Sequence, residues 1–158
     1  MPSTILDHFH TRNLSFYTVP AAYILAIAPH MYTLAAVGKR FDARHPRKLL
    51  GKLEGDQTMD SATKARIHRA EAASANGFEN LGFFAAAVVA ANVAGVETKA
   101  LNTLSVGYVV SRLVYNLIYV NNTTAAAANS RFGVYLVGVG FVISLFVKAG
   151  NAVNALKL

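Results

Sequence analysis

The chain contains no cysteine. That excludes disulfides, thiolate metal sites and a thiol nucleophile, so any sulfur chemistry here needs sulfur carried by a ligand. Charge is also scarce. Asp, Glu, Lys and Arg make up 15% of the 158 residues, against about 25% in soluble domains. A soluble four-helix bundle would show polar outer faces, and residues 81–91 and 132–147 show none. The N-terminus lacks a basic segment followed by a short apolar core and a small-residue cleavage site, so it does not read as a signal peptide. There is no internal repeat and no low-complexity tail.

What is present is apolar sequence in blocks. Residues 14–37, 72–96, 100–120 and 132–147 are four stretches broken by few polar residues. A spanning helix needs about 20 predominantly apolar residues. The first three meet that length, and the fourth does so if Lys148 snorkels and the helix continues to Val153. The expected fold is all-α: a four-transmembrane-helix antiparallel bundle in one domain over residues 1–158. Its spans are expected near residues 14–37, 66–96, 99–120 and 131–152. Pro20 fits the opening turns of the first span, Pro29 should kink it, and His30 is expected to bond within the bundle. Gly38 ends the first helix. Pro46, Gly51 and Gly55 break the following loop, and Asp60 or Ser61 caps the second helix. The very short connection at residues 95–98 makes the second and third helices antiparallel neighbours. Residues 121–130 (NNTTAAAANS) read as a small polar loop.

The net charge is +7, and nine of the fifteen Lys and Arg lie between Lys39 and Arg69. That concentration reads as a topology signal and lipid headgroup contact rather than nucleic-acid recognition. It places the first and third loops in the cytosol and both termini on the non-cytosolic side. The Asn-x-Thr patterns at Asn121 and Asn122 would then be loop composition only. Asp7, His8 and His10 offer too few ligands for a metal and read as an exposed tail.

Two polar lines interrupt the apolar blocks. Asn76 lies seven residues past Arg69, with Glu79 and Asn80 three and four residues further, on one side of a helix. Tyr108, Arg112, Tyr115 and Tyr119 recur at four, three and four, again on one face. A buried Arg in a span needs a carboxylate or carbonyl partner, and Glu79 is the obvious one. Two readings stay open at this point. One is a structural Glu79–Arg112 pair that fixes helix register, with interfacial tyrosines. The other is a polar pocket open to the cytosolic face, holding a small anionic or zwitterionic ligand.

The stretch RAEAASANGFEN, from Arg69 to Asn80, resembles the second-helix signature of the MAPEG family, the membrane-associated proteins in eicosanoid and glutathione metabolism. Its wording is similar to fungal or bacterial-like members. Arg112, Tyr115 and Tyr119 resemble the third-helix motif of the same family, and the large basic first loop and short second loop also match. The resemblance implies a homotrimer that binds glutathione between subunits on the cytosolic side of the endoplasmic reticulum membrane. It matches Asn76 and Glu79 to glutathione-contacting positions, with Arg69 in support. Tyr115 and Tyr119 match tyrosines lining the same site, and Lys39 and Arg40 resemble a basic pair that holds a glutathione carboxylate. Arg112 or Arg131 would lower the thiol pKa for attack on a lipophilic electrophile or lipid peroxide from the bilayer. The chain departs from the pattern at Ala72, Ser74 and Ala75, where active relatives often carry basic residues, His or Gln. Arg131 also lies twelve residues beyond Tyr119, further than the family's activating Arg.

Two function classes therefore stand: a microsomal-type glutathione transferase or peroxidase, and a non-catalytic lipid-binding scaffold of the lipoxygenase-activating type. A channel or transporter is unattractive without inverted repeats or a broken helix pair.

Overall fold

The computed structural model of the protein describes residues 9–155; Asp7 and His8 lie outside them. The elements are α1 (Ser15–Val37), two short 3₁₀ turns (Gly38–Arg40 and Pro46–Lys48), α2 (Leu49–Gly55), α3 (Ser61–Val93), α4 (Thr98–Asn121) and α5 (Ala125–Ala155). Among the described residues there is no strand.

Contacts along the helices fix their directions. His30, Ala26 and Tyr23 of α1 meet Glu71, Gly77 and Phe78 of α3, so these two helices are antiparallel. Tyr119, Ser111 and Gly107 of α4 lie beside Arg131, Gly138 and Phe141 of α5, again antiparallel. Short connections favour this up-and-down order, and the loop between α3 and α4 turns on Gly95 at φ 72°.

Three of the long helices are apolar enough to cross a membrane: Ser15–Arg40, Thr98–Asn121 and Ala125–Ala155. Helix α3 is the longest, but Lys64, Arg66, Arg69, Glu71, Asn76, Glu79 and Asn80 make its first half polar. Its second half buries Phe84, Ala87, Val88 and Ala91 in the main core with Leu101, Tyr108, Val142 and Leu145. Phe84 and Tyr108 stack at 3.9 Å between ring centroids, so Tyr108 is a core residue.

Gly77 sets how close α1 and α3 come. A Cβ there would sit 2.8 Å from both Cα and Cβ of Ala26. Such close approach of small residues is how helices associate in lipid, where no hydrophobic drive operates between them. Helix α1 runs unbroken through Pro20 and Pro29. Pro29 has no N–H for the Leu25 carbonyl, and Asn116 of α4 supplies the missing donor at 2.7 Å.

The helix ends follow their capping residues. Asp60 caps α3 through Thr63 N at 2.8 Å, as its position predicts. Gly38 closes α1 at φ 51°. Two sequence expectations need correction. The polar stretch before the last span is mostly helical, because its alanines favour helix and the Thr124 hydroxyl accepts from Ala127 N. The first loop is also structured: Leu49 and Leu53 of α2 are buried with Val37 and Ile67, which folds the loop back onto the bundle end. Gly51 and Gly55, expected to break structure, both lie within α2.

At the opposite end, the buried Asn102 side chain donates to the carbonyls of Phe9 and Arg12 and accepts from Leu14 N. It thereby ties the segment preceding α1 to the start of α4.

Candidate functional site

Arg112 is the most consequential buried group. It sits on the inward face of α4 with Tyr108 and Tyr115, and only 5% of it is exposed. Its Nη2 donates to Asn76 Oδ1 of α3 at 2.8 Å. Its guanidinium lies 4.2 Å from the Tyr115 ring centroid. The expected Glu79–Arg112 pair is not formed, because Glu79 is exposed and the helix register brings Asn76 to Arg112 instead. Among the described residues, none of the ion pairs involves Arg112. Asparagine satisfies a donor but does not neutralise the charge, so a buried cation remains without its counter-charge.

Around this group the aromatic side chains form a continuous wall. Tyr115 meets Tyr119 edge-on at 5.4 Å and Tyr135 of α5 at 6.2 Å. Arg131, at the start of α5, lays its guanidinium 4.0 Å over the Tyr119 ring. Asn76, Tyr115, Arg131, Phe132 and Tyr135 line a hollow of about 170 Å³. The site therefore brings together five of the residues singled out in the sequence: Asn76, Arg112, Tyr115, Tyr119 and Arg131. Tyr135 belongs with them. One helical turn beyond Arg131, it shares a face with it; that spacing is the signal that could have found it.

The remaining sequence-selected residues lie elsewhere. Arg69 Nε donates to the Val120 carbonyl at 3.2 Å, and Arg66 Nη2 to Asn121 Oδ1 at 2.9 Å. Arg69 satisfies a carbonyl in the last turn of α4 and Arg66 the side chain of its last residue, and both cations are favoured at the negative end of the helix dipole. Arg40 is engaged with Asp56 (2.8 Å) and Thr58 (3.0 Å) in the first loop. Lys39 is exposed beside it. Neither loop residue reaches the hollow within this chain. His30 does bond within the bundle: its Nδ1 lies 2.9 Å from Glu71 Oε1, joining α1 to α3.

A second polar spot lies deeper, where Tyr108, Arg112 and Asn116 meet Ala22, Leu25, Ala26 and Gly77. Asn116 Oδ1 is buried there without a partner. Among the described residues, no group of three or more His, Cys, Asp or Glu is placed to hold a metal ion.

Two cationic side chains, three phenols and an amide, gathered between helices at the end of an apolar bundle, describe a polar site in an integral membrane protein. A family model for the MAPEG family matches residues 16–151, which takes in all four long helices almost completely. The chain belongs to the MAPEG family. Comparison with curated proteins and with solved structures finds no match.

Proposed function

We propose that this protein binds glutathione and activates its thiol for attack on lipophilic electrophiles or lipid peroxides, as a membrane-bound transferase or peroxidase. The observation that carries the reading is the buried, uncompensated charge of Arg112 beside Asn76 and Tyr115. A cation in that position favours an anionic ligand. The cysteine-free chain offers no thiol of its own, so the ligand would supply the nucleophilic sulfur.

The residues present fit such a ligand. Asn76 offers an amide, and the tyrosines offer hydroxyl donors and acceptors. Arg112 and Arg131 supply positive charge that would lower the pKa of a nearby thiol. A hollow of about 170 Å³ is smaller than the roughly 300–1,000 Å³ of ordinary ligand pockets. The reading is therefore a half-site, completed by a second subunit of a homotrimer. Arg40 and the exposed Glu79 would then act across the subunit boundary rather than within one chain.

In this account all four long helices cross the bilayer of the endoplasmic reticulum. The polar half of α3 is shielded by protein, and the basic first loop faces the cytosol with both termini opposite. The site lies toward the basic end, since Arg69 meets Val120 and Arg131 meets Tyr119 there.

One feature favours the non-catalytic alternative, a lipid-binding scaffold. Ala72 and Ala75, where active relatives often carry basic residues, leave the site with fewer cations. Purified protein in detergent, offered glutathione and a hydrophobic aryl halide, separates the readings. Binding with conjugation supports the transferase, and binding without turnover supports the scaffold. Absence of binding removes both glutathione readings.

A further inference from the structure

The first loop carries more cations than the proposed site uses. Between Lys39 and Arg69, nine Lys and Arg face four acidic residues. The structure divides these cations into engaged and unengaged groups. Arg44 and Lys52 share Asp42, and Arg40 holds Asp56. Arg66 and Arg69 serve the end of α4, and Lys64 donates to the Glu54 carbonyl. Asp60 is committed to capping α3. Lys39, Arg47 and Lys48 are exposed and, among the described residues, make no ion pair or side-chain hydrogen bond.

These three cations share one rim. Val37 and Leu49 are buried in one cluster with Leu53 and Ile67. Lys39 follows Val37 by two residues, and Lys48 immediately precedes Leu49, with Arg47 beside it in the same 3₁₀ turn. The apolar anchor of α2 thus fixes the three cations at the end of the bundle. The adjacent apolar helix, Ser15–Arg40, ends at the same place, which is where a leaflet's headgroups would lie.

We propose that Lys39, Arg47 and Lys48 form a preorganised seat for negatively charged phospholipid headgroups of the surrounding leaflet. Three mobile cations on an unstructured loop would give only diffuse attraction. Here Leu49 and Leu53, buried with Val37, anchor the backbone beside all three, so less order must be imposed on binding. Three of the four acidic residues nearby are already engaged, Asp42 and Asp56 with Arg and Lys and Asp60 with a helix end, which leaves the exposed Glu54 as the one carboxylate among the described residues of this loop without an ion pair or cap.

The test is native mass spectrometry of the full chain released from nanodiscs made of equal parts phosphatidylcholine and phosphatidylserine. The expected result is preferential retention of phosphatidylserine that weakens as salt is raised. Replacing Lys39, Arg47 and Lys48 by Gln should lower that preference about fivefold per cation removed. The control K99Q/K148Q, which removes two cations away from this loop, should leave it unchanged. Equal retention of both lipids by the wild type would overturn the proposal, as would an unchanged preference in the triple variant. Loss of retained phosphatidylserine on adding inorganic phosphate at constant ionic strength would also overturn it, by assigning the seat to a small soluble anion.

Discussion

Asn116 completes the hydrogen bonding that Pro29 leaves open in α1, donating from α4 to the Leu25 carbonyl at 2.7 Å. The two helices are thereby joined at a turn of α1 where the backbone lacks its own donor. Asn116→Ala should destabilise the protein by about 1–2 kcal/mol. Restoring the backbone donor with Pro29→Ala should shrink that cost, because Leu25 then has its own partner. A double-mutant cycle measured by unfolding in mixed detergent checks this; equal Asn116→Ala costs in both backgrounds would show that the bond does not answer to the proline.

Gly77 makes a separate prediction. Ala at this position would put its Cβ against the Ala26 backbone at 2.8 Å, where no flexible side chain can give way. Gly77→Ala should cost about 1–3 kcal/mol by forcing α1 and α3 apart. Gly82→Ala, on the same helix with open space around it, should cost nothing comparable. Thermal unfolding of the two variants compares them directly.

The first loop predicts a pH response. Asp56 is held down at about 2, first by the Thr58 hydroxyl and amide and then by Arg40. A carboxylate whose folded pKa lies below its unfolded value of 3.8 stabilises the fold fully above that value. The contribution is lost as the pH falls from there through about 2. Thr58→Ala should therefore raise the Asp56 titration more than Arg40→Gln does. Carboxyl NMR of the two variants provides the order, and a larger effect of Arg40→Gln would reverse the assignment of causes.

Arg69 should prove structural rather than ligand-binding. Its bond to the Val120 carbonyl supports the end of α4. Arg69→Gln should lower stability by about 1–2 kcal/mol, while glutathione affinity, measured calorimetrically on the folded protein, changes little. A selective loss of affinity with unchanged stability would return Arg69 to the ligand site.

Much of the fold was legible because lipid imposes a simple rule: long apolar stretches must be helices. The Asp60 cap and the Gly38 stop followed from local chemistry. The start of α5 and the existence of α2 did not. In the first case NNTT reads as a turn, yet the following alanines carry the helix back to Ala125. In the second, the apolar Leu49 and Leu53 outweigh Gly51 and Gly55 once they find Val37 and Ile67.

The site was half legible. Periodicity placed Arg112, Tyr115 and Tyr119 on one face, but charge alone favoured Glu79 as the partner. Which residue of α3 meets Arg112 depends on helix rotation and register, and these bring Asn76. Glu71 and His30 show the same limit. They are 41 residues apart, and only the packing of α1 on α3 makes them neighbours.

The central claim is that Arg112 supplies the charge that captures and activates a thiol. The ultraviolet thiolate absorbance of glutathione, titrated with pH on the purified protein, tests it most directly, with Arg112→Gln and Arg131→Gln alongside. The account predicts a lowered thiol pKa on the wild type, and an Arg112→Gln variant whose binding is weakened by about 2–5 kcal/mol. A wild type that leaves the thiol at its solution pKa, or thiolate formation unaffected by either substitution, would contradict it.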